Sequence, residues 1–232
     1  MNKLLAPTAI ALLSFGPTAA IAEMVRPVAA ISPPSWAGFY VGGQVGDAWA
    51  HADYVHTSTS GFAEAFNFHP KSGIGGIHAG MQRQWGNWVL GVEGSFNLTR
   101  LDERLTSVAK APVFKTFELD DIATIVGKAG FAANNWLIYA KAGWAVANIR
   151  TEGTSPVTGV TAGPQNWDDG LTVGGGVDYL IASDWIVGID FNYYHINFDR
   201  SAIATNNIVT TWTNASADVY AVMGRISYKF GL

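Results

Sequence analysis

An all-β fold, an eight-stranded antiparallel transmembrane up-and-down β-barrel, is what the sequence predicts, on three observations. Long stretches alternate with period two, one face apolar and the other polar or tiny. The connections between these stretches are alternately very short and very long. Aromatic residues collect at the short-turn end of the hairpins, as a girdle at a membrane–water interface requires. Composition agrees. Hydrophobic residues make up 49% of the 232 positions and charged ones only 14%, against roughly 25% charged in an ordinary soluble domain. The mean hydropathy of +0.16 is nevertheless far too low for a bundle of membrane helices.

The first element is an address. Lys3, the apolar stretch Leu4 to Phe15, and Ala20-Ile21-Ala22 form a secretory signal over residues 1–22, with cleavage expected after Ala22. Pro7, Gly16 and Pro17 interrupt a segment already too short to be an anchor. Residues 23–35 are proline-rich and read as a flexible periplasmic leader, and residues 36–232 as the barrel.

Eight strands are expected at about 37–48, 73–85, 88–98, 117–132, 136–150, 168–180, 185–197 and 216–230. Trp36, Trp88, Trp136 and Trp185 recur at spacings of 52, 48 and 49. The last three follow Gly86-Asn87, Asn134-Asn135 and Ser183-Asp184, of which the first two tolerate the positive φ of short hairpins. In the third strand Trp88, Leu90, Val92, Gly94, Phe96 and Leu98 share the apolar face, and Val89, Gly91, Glu93, Ser95 and Asn97 the other. In the fifth, Trp136, Ile138, Ala140, Ala142, Trp144 and Val146 oppose Tyr139, Lys141 and Gly143. The sixth and seventh repeat the pattern through Leu171 to Tyr179 and Trp185 to Tyr193. Four connections of about 16 to 24 residues lie at the opposite end, long for a compact soluble domain. All nine prolines fall outside these strands. The expected girdle is Trp36, Trp85, Trp88, Phe131, Trp136, Tyr179, Trp185, Tyr228 and Phe230.

A soluble barrel of the lipocalin or avidin kind, or a β-sandwich, would also alternate. Two features weigh against them: the polar face is loaded with glycine, which suits a cramped interior, and the aromatics sit at strand ends. With the apolar face toward lipid, the ionisable residues of the other parity point inward: Glu93, Lys128, Lys141, Asp178, Asp190 and Arg225. An eight-stranded barrel is narrow enough for side chains to fill, and buried charges must be paired. A closed structural network follows, with Glu93 expected to face Lys128, and Arg225 or Lys141 to meet Asp178 and Asp190.

Several chemistries are excluded or weak. There is no Cys, which removes thiol catalysis, Cys-based zinc and iron–sulfur sites and disulfides. A net charge of −4 offers no footprint for nucleic acid. No His-Glu-x-x-His, Walker loop or dinucleotide fingerprint is present, and Gly73-Ile74-Gly75 breaks off at His78. His195 with Asp199 and Ser201 is the one local cluster of rim-enzyme type, and His51, His56 and His69 the one candidate for metal or haem. Neither has a spacing that fixes geometry, so no catalytic, cofactor or metal residue is assigned. Asn206, Asn207, Thr210, Thr211, Thr213 and Asn214 make the last long connection polar. A narrow channel for small solutes is the competing function.

The blocks Trp36-Ala37-Gly38-Phe39-Tyr40-Val41-Gly42-Gly43, Trp88-Val89-Leu90-Gly91-Val92-Glu93-Gly94, Tyr139-Ala140-Lys141-Ala142-Gly143-Trp144-Ala145, Thr172-Val173-Gly174-Gly175-Gly176-Val177-Asp178-Tyr179 and Ile226-Ser227-Tyr228-Lys229-Phe230 resemble the alphaproteobacterial outer-membrane immunogenic proteins. These are OmpA-like barrels of the porin family. The resemblance runs from the signal to Phe230. It implies a Gram-negative outer membrane location, a role in envelope integrity and surface interaction, no cofactor, and as partners membrane lipid, lipopolysaccharide and the barrel-assembly machinery. Two features depart from the pattern. Gly231 and Leu232 follow the aromatic residue on which such chains commonly end, and Lys128 stands where an arginine is expected, a point charge in place of a bidentate fork.

Overall fold

The computed structural model describes residues 34–58, 63–106, 114–154, 161–162, 165–181, 184–197, 200–204 and 208–231. The expected signal and all but the last two residues of the expected leader lie outside them, as do Ser183, Asp199, Asn206 and Asn207. Among these residues eleven strands form one antiparallel sheet. They are β1 (Gly38–Ser58), β2 (Ala63–Phe68), β3 (Lys71–Trp85), β4 (Trp88–Thr106), β5 (Phe114–Ala133), β6 (Trp136–Thr154), β7 (Thr161–Ala162), β8 (Gln165–Leu180), β9 (Trp185–Asn197), β10 (Arg200–Ala204) and β11 (Ile208–Phe230). Eight of them make the ring β1-β3-β4-β5-β6-β8-β9-β11, and β11 closes it on β1 from Phe39↔Phe230 to Ser58↔Thr210. The short β2, β7 and β10 extend the ladder beside β1, β6 and β11.

At the lower end Trp85 and Trp88 flank a two-residue turn, and Gly86 takes φ 59° there. Asn134 takes φ 55° in the corresponding turn before Trp136, a conformation that asparagine tolerates better than most side chains. At the upper end the strands run well past the expected limits: β1 to Ser58 instead of 48, β4 to Thr106 instead of 98, and β11 starts at Ile208 instead of 216. Much of what reads as long loop is therefore paired strand. The ladder also shifts register at Asp53/Val55, Leu98/Leu101 and Leu119/Asp121. On β5 the shift flips the parity, so that Phe117 and Leu119 and then Ile122 all point inward.

The alternation divides two environments. Leu90, Val92, Phe96 and Leu98 are exposed while Val89, Glu93 and Asn97 are buried. Ile138 and Trp144 are exposed while Tyr139 and Lys141 are buried. The exposed apolar wall continues through Val45, Ile77, Ile125, Leu171, Ile189 and Ile226, and hydrocarbon is the medium that such a wall requires. Val92→Lys is therefore expected to destabilise the barrel by about 2–4 kcal/mol. The reverse parity has a different cost: at Ser95, which hydrogen-bonds Thr124 at 2.7 Å, lysine acts through lumenal crowding. Chemical unfolding in vesicles of two thicknesses separates the two, because only the Val92 cost depends on membrane depth.

Candidate functional site

The lumen is built in three layers. In the middle layer six charged side chains converge, one each from β4, β5, β6, β8, β9 and β11. Arg225 Nη2 donates to Glu93 Oε2 at 2.6 Å, and Arg225 Nη1 lies 3.4 Å from Glu93 Oε1. Lys141 Nζ donates to Asp190 Oδ2 at 2.6 Å and reaches Glu93 Oε1 at 3.4 Å. Lys128 Nζ donates to Asp178 Oδ2 at 2.9 Å. Arg225 also approaches Asp178 at 3.8 Å and Asp190 at 3.9 Å. Three acids and three bases balance in one cluster from which water is almost excluded; Arg225 and Glu93 side chains are each 1% exposed. The expected pairing of Lys141 and Arg225 with Asp190 and Asp178 is found, but Glu93 meets Arg225 and Lys141 and not Lys128, which meets Asp178 instead. Barrel stagger decides which inward residues face each other across the lumen, and the linear pattern does not carry it.

Two tyrosines that sequence reasoning left out complete this layer. Tyr40 donates to Glu93 Oε2 at 2.8 Å, and Tyr139 donates to Asp190 Oδ1 at 2.9 Å. Lys128 Nζ lies 3.8 Å from the Tyr139 ring centroid, so the ring face supplies a second contact to a cation that lacks arginine's fork. The signal was available: both tyrosines share the inward parity of the charges. Glycines make the room. A Cβ on Gly80 would stand 2.5 Å from the Tyr40 hydroxyl, and one on Gly176 2.6 Å from that of Tyr139. Next to the charges, His78 Nε2 and Ser227 Oγ are 2.7 Å apart, and Gln44 Nε2 donates to Asn97 Oδ1 at 2.6 Å.

The other two layers are mainly apolar. Above, Phe68, Ile74, Leu101, Phe117, Leu119, Ile122, Ile149, Tyr194 and Ile196 pack with a set of small alanines. Below, Trp36, Val89, Ala132, Leu137, Leu180 and Ile186 close the lower mouth. Trp36 is fully buried, so it is a lumenal plug and not part of the girdle expected of it. It precedes β1, and strand alternation does not govern it. Its backbone N–H donates to Gln84 Oε1 at 2.7 Å, its carbonyl accepts from Gln82 Nε2 at 2.7 Å, and its indole N–H donates to the Asn134 carbonyl at 3.3 Å. Gly38 then turns the chain into the wall at φ 144°, where a Cβ would fall on the Phe230 carbonyl.

Outside, Trp85, Trp88, Phe131, Trp136, Trp185, Tyr228 and Phe230 are exposed at the lower end. Trp88 packs on Phe131, Trp136 on Tyr179 and Trp185 on Tyr228, with centroids 5.6, 4.7 and 5.2 Å apart. A second outer belt, missed in the sequence, lies eight residues higher on β9 and β11, where Tyr193, Tyr220 and Trp49 stand side by side. At a tilt of 35–45° that separation spans roughly 20 Å of barrel height.

The weaker candidates rearrange. His195 pairs with Asp218, at 2.7 Å, and Ser201 pairs with Thr211, seven residues earlier on β11. The serine is therefore not beside the imidazole. His51 lies against His69, centroids 4.8 Å apart, while His56 sits opposite Glu64 and Trp212. Among the described residues no group of three His, Asp or Glu is arranged to hold a metal ion.

The family model for the outer membrane protein beta-barrel domain matches residues 8–230. Among solved structures the chain is similar to the outer membrane protein OprG from Pseudomonas aeruginosa, with 13% identity, 84% of this chain and 97% of that one covered, and a TM-score of 0.53. It is also similar to Ail, the attachment invasion locus protein of Yersinia pestis (15% identity, 83% and 99% covered, TM-score 0.43), and to Neisserial surface protein A (17%, 83% and 97%, TM-score 0.41). No curated protein matches the chain. At such identities the likeness is one of fold.

Proposed function

This chain belongs to the outer membrane protein beta-barrel domain family, and on that premise we propose that it is a closed, non-enzymatic wall component of the outer membrane. It contributes to envelope integrity and carries paired extensions outside the cell for surface interaction. The observation that carries this reading is the layering of the lumen. A solute would have to pass the Trp36 layer, a charge cluster with no spare acid or base, and an apolar layer of Phe68, Phe117, Leu101 and Ile149. A channel needs a wetted path and sites that an ion leaves readily. The sequence blocks around Trp36, Trp88 and Tyr139 support the narrower reading as an alphaproteobacterial outer-membrane immunogenic protein, exported with a signal cleaved after Ala22. Lipopolysaccharide, membrane lipid and the barrel-assembly machinery are the partners that this reading implies.

Planar bilayers test it. The refolded barrel is expected to insert with no steady conductance above the bare membrane. A stable, reproducible conductance step for the wild-type chain would replace the closed wall with a narrow channel.

A further inference from the structure

The outer wall carries a second polar cluster where β11 closes the ring. Trp49, Tyr220 and Tyr193 occupy one row on β1, β11 and β9. The Trp49 and Tyr220 rings are stacked at 6.1 Å and 13°, and Tyr193 lies 5.1 Å from Tyr220. One row further out, His51, Asp218 and His195 stand opposite one another on the same three strands. Tyr193 Oη and His195 Nδ1 both donate to Asp218 Oδ1 at 2.7 Å, which leaves Asp218 Oδ2 and His195 Nε2 open to a ligand among the described residues. Beside Trp49 a groove of about 480 Å³ is lined by Asp47, Lys71, Ser72 and Gly73. Gly73 leaves it open, since a Cβ there would meet only the Gly46 carbonyl at 3.8 Å.

We propose that this face binds the sugar headgroup of a glycolipid in the outer leaflet. The inference rests on the membrane orientation above, with the short turns periplasmic. An interfacial aromatic belt needs only rings at the right height; this one adds directed polar groups. Ring C–H groups of a sugar carry partial positive charge and lie well on the negative face of an aromatic ring. Sugar hydroxyls are at once donors and acceptors. Asp218 Oδ2 and Asp47 accept from them, Lys71 donates to them, and His195 Nε2 adds a further polar contact. A phospholipid headgroup offers no such flat, hydroxyl-edged ring. The height is right too, because the aromatic row lies roughly 20 Å above the lower girdle, at the upper edge of the hydrocarbon.

The test uses the full barrel, refolded in an amine-oxide detergent that bears no sugar, immobilised and titrated with purified lipopolysaccharide and separately with phosphatidylglycerol. Wild type is expected to prefer lipopolysaccharide. The pair Trp49→Ala with Tyr220→Ala is expected to weaken that binding about tenfold and leave phosphatidylglycerol unchanged. Asp218→Asn, which keeps the side-chain shape, is expected to weaken it about fivefold and carries the test if the double variant does not fold. Undiminished lipopolysaccharide binding by the folded variants overturns the proposal. So does an equal loss for both lipids, which is the behaviour of a plain interfacial belt. A chain that fails to insert into vesicles at all overturns the membrane reading instead, and one that inserts but shows no lipid preference overturns only this inference.

Discussion

Glu93→Ala is expected to destabilise the folded barrel by about 3–5 kcal/mol, the usual cost of leaving a buried charge without its partner. Glu93 accepts from Arg225, Lys141 and the Tyr40 hydroxyl at once. Its removal leaves Asp178 and Asp190 to balance Lys128, Lys141 and Arg225, one positive charge too many in a space that excludes water. Arg225 has nowhere to turn, for its next acids are already at 3.8 and 3.9 Å and engaged by the two lysines. Equilibrium unfolding in urea from lipid vesicles reads the loss. Glu93→Gln with Lys141→Met restores the charge balance, and the pair is expected to be less destabilised than Glu93→Gln alone. If Glu93→Ala lies within about 0.5 kcal/mol of wild type, the scale of an ordinary surface change, the lumen is wet and the closed-wall reading fails with it.

The wall of this barrel was legible in the sequence and its filling only partly so. Leu90, Val92 and Phe96 against Val89 and Glu93 define a parity that needs no tertiary information, because a strand turns successive side chains to opposite faces. The same parity brings all six charges inside. It does not say that Lys128 meets Asp178, since contacts across the lumen depend on the stagger of the whole ring. The upper strand extensions escaped notice for a related reason. Beyond the upper aromatic row the outer face is polar at His51 and Asp53, so the apolar alternation fades although Ala48, Ala50 and Ala52 still point inward. The parity flip at Asp120 and Asp121 is a bulge, which moves a side chain from one face to the other within a single residue. Trp36 was misplaced because its position follows from what fills the mouth of the barrel and not from any strand.

That misplacement yields the other large effect. Trp36→Ala is expected to cost about 3–5 kcal/mol, the range for deleting a large aromatic side chain from a packed site. The indole is fully enclosed by Val89, Ala132, Leu137, Leu180 and Ile186, and its backbone is held from both sides by Gln82 and Gln84. Lys229 adds a hydrogen bond to the Ser35 carbonyl, so the segment before β1 is tied to both β3 and β11. Trp36→Phe keeps the backbone bonds and most of the apolar contact; it loses the bond to Asn134 and is expected to cost about 1–2 kcal/mol. A girdle tryptophan would behave differently, with an alanine cost that follows the lipid interface and not the lumen. The temperature at which the folded band disappears on an unboiled gel ranks the three proteins. Conductance then separates a structural cap from a gate. With Trp36 gone the charge cluster and the upper apolar layer still block the lumen, so Trp36→Ala is expected to stay silent in planar bilayers while unfolding earlier. Channel openings in Trp36→Ala alone would make the tryptophan a cork on an otherwise open path, and the two upper layers would then have to be leakier than their packing implies.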